Sequence, residues 1–160
     1  MPARRLSIAE APIAEAPIAQ APIAQAPIAP ALVHRGVPVQ TGRMKAALVE
    51  FGVLELAGHR YTCDVVIDGG RVTRRDKAPS KRLRGGFGHT PLSAAEDIPW
   101  GGGRLIVGTG ADGALPITSD LAAEARRRGI TIEALPTREA CRLLAGLKRR
   151  DVHAVLHVTC

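Results

Sequence analysis

The fold of this chain is specified by residues 104–160, which read RLIVGTGADGALPITSDLAAEARRRGITIEALPTREACRLLAGLKRRDVHAVLHVTC. The pattern predicts strand, helix, strand, helix and strand in that order. The second helix, after Thr137, carries apolar residues at 140, 143, 144 and 147, which is the spacing of one helical face. Because right-handed crossovers make such strands parallel, the sequence predicts an α/β unit with a central sheet.

A glycine-rich loop, Gly108 to Gly113, directly follows the first of these strands. Parallel strands end at one edge of a sheet, so this loop, Thr137 and Cys160 are expected to meet there as a pocket. The candidate ligand-binding residues at this edge are Gly108, Thr109, Gly110, Thr137 and Cys160. The loop is open to three interpretations: a dinucleotide site, a site for a phosphate- or carboxylate-sized anion, or a structural turn. The dinucleotide interpretation is disfavoured because the next helix begins near residue 120 and not at the third glycine.

Residues 46–75 are typical of a β meander, with a hairpin at Asp68-Gly69-Gly70 and a continuous strand over 61–67. Residues 85–91 are expected to form a loop, since glycine and proline are dense there. Ser93 to Glu96 matches a helix capping box and predicts a short helix. Residues 130–135 are expected to be a buried strand, and Thr137 is expected to cap the second helix. The chain is therefore predicted to hold a single compact domain over residues 44–160, with an N-terminal β meander and a C-terminal βαβαβ unit.

Residues 1–43 contain Ala-Pro-Ile-Ala repeated at a five-residue period. A proline every five residues excludes a helix or a central strand, so these residues are expected to be a disordered arm. We hypothesise that Met44 is the native start of the chain. An export signal or transit peptide is disfavoured because prolines and Glu10 and Glu15 interrupt the apolar run. No stretch is long and apolar enough to predict a membrane span.

The formal net charge is +7, and seven basic residues lie between Arg71 and Arg84. This basic segment is open to interpretation as a solvated loop, as a site for an anion or an acidic protein, or as a nucleic-acid site. Nucleic acid is the least favoured, because four aromatic residues in the whole chain offer few stacking platforms. One candidate anion-binding set overlaps the segment and the glycine-flanked residues after it: Lys77, Ser80, Lys81, Arg84, His89 and Thr90. The same residues are also typical of a mobile surface flap.

His157 and Cys160 form a third candidate set, as a metal pair or as a thiol with its base. Side chains three residues apart on a strand point to opposite faces, so a hydrogen-bonded core histidine and a surface cysteine are favoured. Three widely spaced cysteines do not indicate a disulfide framework. A reducing cytoplasmic setting, with no metal and no cofactor, is therefore expected.

Three separated motifs, Leu105 to Gly110, Leu135 to Ala140 and Leu156 to Cys160, together resemble the Mth938-like domain family, a domain of unknown function. The resemblance covers roughly residues 46–160, and Lys77 to Ser93 resembles prokaryotic members. It implies a compact α/β domain with a mixed sheet and an extra β layer. Eukaryotic relatives include a mitochondrial assembly factor for respiratory complex I, and no activity or cofactor is established for the family.

Two classes of function remain open from the sequence. The first is a non-enzymatic binding or assembly protein that holds a protein partner or an anionic group through its basic segment and glycine loop. The second is a small enzyme or ligand-binding domain acting on an anionic small molecule at the Gly108, Thr137 and Cys160 edge. The first is preferred, because the sequence offers no paired acids, metal cluster or placed nucleophile and base.

Overall fold

The computed structural model describes residues 42–159. The repeat arm, its targeting alternatives and Cys160 lie outside the described residues, so the predictions made for them stay predictions. Arg43, the last residue of the predicted arm, forms an isolated antiparallel bridge with Lys148. Arg43 therefore takes part in the described fold.

The regular elements of residues 42–159 form two sheets and three α-helices. In chain order they are β1 (Ala46–Glu50), β2 (Val53–Leu56), β3 (His59–Tyr61), β4 (Val65–Asp68), β5 (Arg71–Arg74), a 3-10 helix (Ala78–Leu83), α1 (Arg84–Phe87), β6 (Arg104–Thr109), α2 (Ser119–Arg127), β7 (Thr131–Leu135), α3 (Thr137–Ala145), a second 3-10 helix (Arg149–Asp151) and β8 (His153–His157). Strands β1, β2 and β3 form an antiparallel sheet, and the other five form a mixed sheet in the order β5-β4-β8-β6-β7. The predicted α/β class with a mixed central sheet is confirmed.

The parallel part of the large sheet is the β6, β7 and β8 unit that the sequence predicts. Strand β6 pairs in parallel with β7 on one side and with β8 on the other, while β4 joins β8 antiparallel. The expectation that β7 is a buried strand is wrong, because β7 is the last strand in the sheet order and its residues are exposed or half-buried. An edge strand has a neighbour on one side only, so part of it faces solvent.

The core lies on both faces of the five-stranded sheet. Val65 and Ile67 pack on the face that carries α3 and the three-stranded sheet, whereas Val66 packs on the face that carries α2. A strand covered on both faces needs apolar residues at successive positions, which is why β4 reads Val-Val-Ile. The alternation places Asp64 and Asp68, on either side of these residues, on the same face as Val66.

Helix α3 buries the predicted apolar stripe, with Ala140 and Leu144 fully buried. Thr137, however, is not its cap, because Pro136 precedes the first helical residue and Thr137 is that residue. The Thr137 hydroxyl donates to the His157 carbonyl at 2.6 Å and accepts from the Gly110 N–H at 2.8 Å. Partners from two other strand ends thus take the place of the helix N–H groups that a cap would bind.

The capping-box prediction at Ser93 to Glu96 is also wrong. These residues form a turn in which the Glu96 N–H bonds the Ser93 carbonyl at 3.2 Å, and the Glu96 side chain turns to Arg75. A buried guanidinium is a stronger partner for the carboxylate than a backbone N–H. The predicted loop at 85–91 begins instead within helix α1, a single turn over Arg84–Phe87.

The strand expected over 61–67 is interrupted, since β3 ends at Tyr61 and β4 begins at Val65. The interruption separates the two sheets and places Asp64 immediately before β4. The hairpin at Asp68 to Arg71 is confirmed, with Gly69 and Gly70 at φ 56° and 85°. Positive φ at both central residues is what a tight hairpin turn requires.

Candidate functional site

Asp64 is the centre of a buried polar cluster at the end of β8. The antiparallel register of β4 and β8 pairs Val65 with Leu156, so Asp64 falls opposite His157. The Asp64 Oδ2 atom lies 2.8 Å from His157 Nδ1, 2.8 Å from Lys77 Nζ and 3.2 Å from Arg75 Nη1. Its Oδ1 atom accepts from the Val158 N–H at 3.2 Å. Both oxygens of this carboxylate are therefore hydrogen-bonded.

Arg75 is the second centre of this cluster and is almost completely buried. Its guanidinium donates two hydrogen bonds to the Glu96 carboxylate, from Nε at 2.6 Å and from Nη2 at 2.7 Å. Nη2 also donates to the Pro91 carbonyl. This bidentate pairing fixes the orientation of the planar group. Arg75 is one of the seven cations of the basic segment, but it is buried and connects Glu96, Asp64 and the Pro91 carbonyl instead of lying on the surface.

Ser80 and Ser93 complete the buried cluster on the far side of Glu96. The Ser80 hydroxyl donates to Glu96 Oε1 at 2.5 Å and lies 2.8 Å from the Ser93 hydroxyl. Within residues 42–159, every buried side-chain nitrogen or oxygen has a hydrogen-bond partner. A buried polar network that is fully satisfied holds its members rigidly.

The charges around Asp64 decide its protonation. Burial by itself raises the pKa of this carboxyl, but the hydrogen bonds and charges of His157 and Lys77 outweigh burial and hold the pKa well below its ordinary value. Asp64 is consequently ionised throughout the physiological pH range. An ionised Asp64 keeps Nδ1 of His157 as the donating nitrogen, and leaves Nε2 to face the Thr159 hydroxyl at 3.1 Å.

An open cleft of about 570 Å³ lies against this cluster. Its lining residues are Thr62, Cys63, Asp64, Arg74, Arg75, Asp76, Lys77, Ala78, Lys81, Val158 and Thr159. Arg74 and Lys81 are exposed at this cleft, Lys77 is half-buried, and Asp64 lies below them. The cleft thus exposes the cations Arg74 and Lys81 and one acid, Asp76, to solvent, above the ionised and ion-paired carboxylate of Asp64.

The predicted anion-binding set divides between this cleft and other places. Lys77 and Lys81 line the cleft, and Ser80 is buried beneath with Glu96. Arg84 and His89 are exposed and Thr90 is half-buried, and none of the three is among the cleft residues. Three of the six residues therefore belong to the cleft and its supporting network.

The glycine-rich edge is closely packed. A Cβ atom on Gly108 would lie 2.8 Å from Thr137 Oγ1 and 2.8 Å from a methyl carbon of Leu156. The Thr109 hydroxyl donates to the Leu135 carbonyl, and the Gly110 N–H donates to Thr137. The expected meeting of Gly108 and Thr137 at one edge is confirmed, and glycine is required at 108 because Thr137 occupies the space of a side chain.

The two predicted regions meet at His157. The backbone carbonyl of His157 accepts from Thr137 at the glycine edge, while the imidazole of His157 binds Asp64 at the cleft. The favoured interpretation of His157 as a hydrogen-bonded core histidine is confirmed.

Sequence reasoning missed Asp64, Arg75 and Glu96 as site residues, since their partners are distant along the chain. The only sequence signal was an acid placed directly before a buried strand.

The two described cysteines lie in different surroundings. Burial raises the pKa of the Cys141 thiol to about 11, whereas Cys63 is half-buried and lines the cleft. Among residues 42–159, no three histidine, cysteine or acidic side chains are placed to hold a metal ion.

Across the part of the chain that the structure describes, no helix has the length and apolar character needed to cross a bilayer.

Comparison with known proteins finds likeness in structure. No protein-family model and no curated protein sequence matches the chain. A conserved hypothetical protein from Pyrococcus horikoshii is 29% identical and aligns with a TM-score of 0.56 over 73% of this chain and 100% of its own. A solved structure named MT938 is 27% identical, with a TM-score of 0.45 over 73% of this chain and 99% of its own. A protein from Bordetella pertussis, described as a Mth938-like domain, is 20% identical, with a TM-score of 0.45 over 71% of this chain and 85% of its own.

The likeness to the Pyrococcus protein shows that the chain shares its α/β architecture. The resemblance predicted from three separated motifs is confirmed at the level of the fold. The Pyrococcus protein is described as hypothetical, so this likeness indicates the architecture of the chain and does not indicate an activity.

Proposed function

We propose that this protein is a binding protein that holds an acidic segment of another polypeptide in the cleft beside Asp64. The observation that carries the proposal is the grouping of Arg74, Lys77 and Lys81 around one cleft from a strand, a loop and a 3-10 helix. Such convergence concentrates positive potential where a carboxylate can approach.

The buried network supports the proposal by fixing the cations in place. Lys77 is held by Asp64, and the strand carrying Arg74 leads directly into Arg75, which is clamped by Glu96. A rigid binding surface loses less conformational entropy when a partner docks.

A polypeptide is favoured over a small molecule because β5 borders the cleft and is the end strand of its sheet. Its residues Arg71, Thr73 and Arg74 are exposed. An edge strand offers backbone donors and acceptors to an extended segment, and the neighbouring cations favour one that carries acids.

The test compares two double charge reversals within the same basic segment. Arg74→Glu with Lys81→Glu removes two cleft cations, whereas Arg82→Glu with Arg84→Glu changes the same charge at exposed positions that do not line the cleft. Binding of a fluorescent glutamate-rich peptide is measured by anisotropy at low ionic strength, where screening is weak. The cleft variant is expected to bind about tenfold more weakly and the control within about twofold of the parent protein. Equal weakening in both variants, or no binding by the parent, overturns the proposal.

A further inference from the structure

Asp64 and Thr159, which line the cleft, and the buried His157 have the arrangement of an orienting acid, a nucleophile and a base. Asp64 Oδ2 lies 2.8 Å from His157 Nδ1, and His157 Nε2 lies 3.1 Å from Thr159 Oγ1. The two ring nitrogens are used as this chemistry requires, with the acid on Nδ1 and the hydroxyl on Nε2. Residues two apart on β8 and its extension share a face, so the hydroxyl of Thr159 returns to the ring of His157.

The surroundings favour proton transfer from the hydroxyl to the ring. Asp64 is ionised, and in the neutral His157 tautomer that donates Nδ1–H to Asp64, the lone pair of Nε2 faces the Thr159 hydroxyl. Thr159 is half-buried and lines the cleft, so a substrate in the cleft reaches it. His157 itself is buried, so its basic nitrogen is reached through Thr159.

Lys77 adds a positive charge on the Asp64 side of this arrangement. Its Nζ shares Asp64 Oδ2 with His157, so the ammonium lies near the imidazole, and Lys77 lines the cleft as well. An ammonium has three N–H donors, and a fixed positive charge stabilises the oxyanion that forms when a carbonyl is attacked.

We propose that Asp64, His157 and Thr159 form an acyl-transfer site, in which Thr159 is the nucleophile, His157 is the general base and Asp64 is a positioning residue. The substrate class is an activated carboxylic ester. This inference goes beyond the binding role: only a preference for a negatively charged acyl group rests on the proposed function.

The step balances without a further reagent. Thr159 Oγ1 attacks the carbonyl carbon while its proton passes to His157 Nε2, and the tetrahedral intermediate then breaks the bond to the leaving alcohol, which takes that proton. Water attacks the resulting Thr159 ester by the same route, giving a proton to His157. The acid is released and the proton returns to Thr159 Oγ1.

The test uses the full chain with para-nitrophenyl acetate and with the anionic mono-para-nitrophenyl succinate. Acylated protein is followed by intact mass, and the acylated residue is located by peptide mapping. We expect the acyl group on Thr159 and a loss of about 100-fold in kcat/KM for Thr159→Val and for His157→Gln. Thr159→Ser is expected to retain turnover, and Thr131→Val, which changes an exposed threonine of β7 that does not line the cleft, is the matched control.

Acylation only of Cys63 or a lysine, or equal turnover by the parent protein and Thr159→Val, overturns the inference. A purely structural role of the hydrogen bonds predicts no adduct on Thr159, and unfolding of Thr159→Val is checked by circular dichroism. If Thr159 is acylated equally well by both esters, and Lys81→Glu changes neither rate, the binding proposal fails while the relay stands.

Discussion

The two ends of the β4 and β8 pair carry the same two residue types in different surroundings. At one end, Asp68 Oδ1 lies 2.8 Å from His153 Nδ1, and at the other, Asp64 Oδ2 lies 2.8 Å from His157 Nδ1. The side chain of Asp68 is 62% exposed and that of Asp64 is 3% exposed. One register thus places two aspartate and histidine pairs on one face of the sheet, with the Val66 and Val155 pair between them.

The neighbours determine what each pair can do. Gly101 and Gly102 lie flat against the ring of His153, so close that a Cβ on either would lie 2.5 or 2.6 Å from a ring carbon. At the other end, Lys77, Arg75 and Thr159 surround the pair, and a cleft opens beside it. An identical residue pair is therefore a covered surface contact at one end and a charged, accessible site at the other.

The largest expected effect comes from neutralising the acid at each end. Asp64→Asn leaves Arg75 and Lys77 without their shared carboxylate in a buried place, and should lower the free energy of unfolding by about 3 kcal/mol at neutral pH. Asp68→Asn removes an exposed partner and should cost less than about 1 kcal/mol. Urea unfolding measures both variants, and equal costs would contradict the contrast between the two ends.

The same two variants should also differ in how their free energy of unfolding depends on pH. His157 and Lys77 hold the folded-state pKa of Asp64 below its unfolded value of about 4, so its contribution to stability is complete above that pH. The contribution is lost as the pH falls below about 4 toward the lower folded-state pKa. Asp68→Asn should keep this acid-dependent loss, and Asp64→Asn should show a smaller one.

A smaller effect is expected at the glycines that cover His153. Gly101→Ala forces the imidazole to move, which disturbs its bond to Asp68 and should cost about 1 to 2 kcal/mol. Gly103→Ala is the matched control, because a Cβ there meets nothing within 4 Å. The control should stay within about 0.5 kcal/mol of the parent protein in thermal or urea unfolding. A cost at Gly103 equal to that at Gly101 would show that chain flexibility, and not contact with the ring, is responsible.

The smallest expected effect is a change in the rate of thiol alkylation beside Asp64. Cys63 lines the cleft, whereas burial raises the pKa of Cys141 to about 11, so only Cys63 of these two should react in the folded protein. Lys81→Glu should slow the anionic reagent iodoacetate relative to iodoacetamide about threefold, because it reverses one cleft charge. Peptide mapping identifies each modified cysteine. Protection of Cys63 equal to that of Cys141 would mean that the cleft is closed.

Elements whose pattern is local could be predicted from the sequence. The apolar stripe of α3, the hairpin at Asp68 and the parallel β6, β7 and β8 unit were predicted because periodicity and turn residues act over a few positions. The capping box at Ser93 was predicted wrongly, since Glu96 finds a partner 21 positions away in Arg75. Three of the six residues in the candidate set around Lys77 lie at the cleft or in its supporting network. They could be predicted because the density of charge in a short segment is visible in the sequence without the fold.

The order of apolar, glycine and proline residues by itself determined the succession of β6, α2, β7, α3 and β8, and with it the class of fold. Only the tertiary structure decided that Asp64, 93 positions from His157 along the chain, is its neighbour, and that Arg75 is a clamp and not a surface cation. The physical reason is that the preference of a segment for helix or strand depends mainly on its own residues and their spacing. The protonation and partners of a buried charge follow from strand register and burial, which exist only once the whole chain is packed.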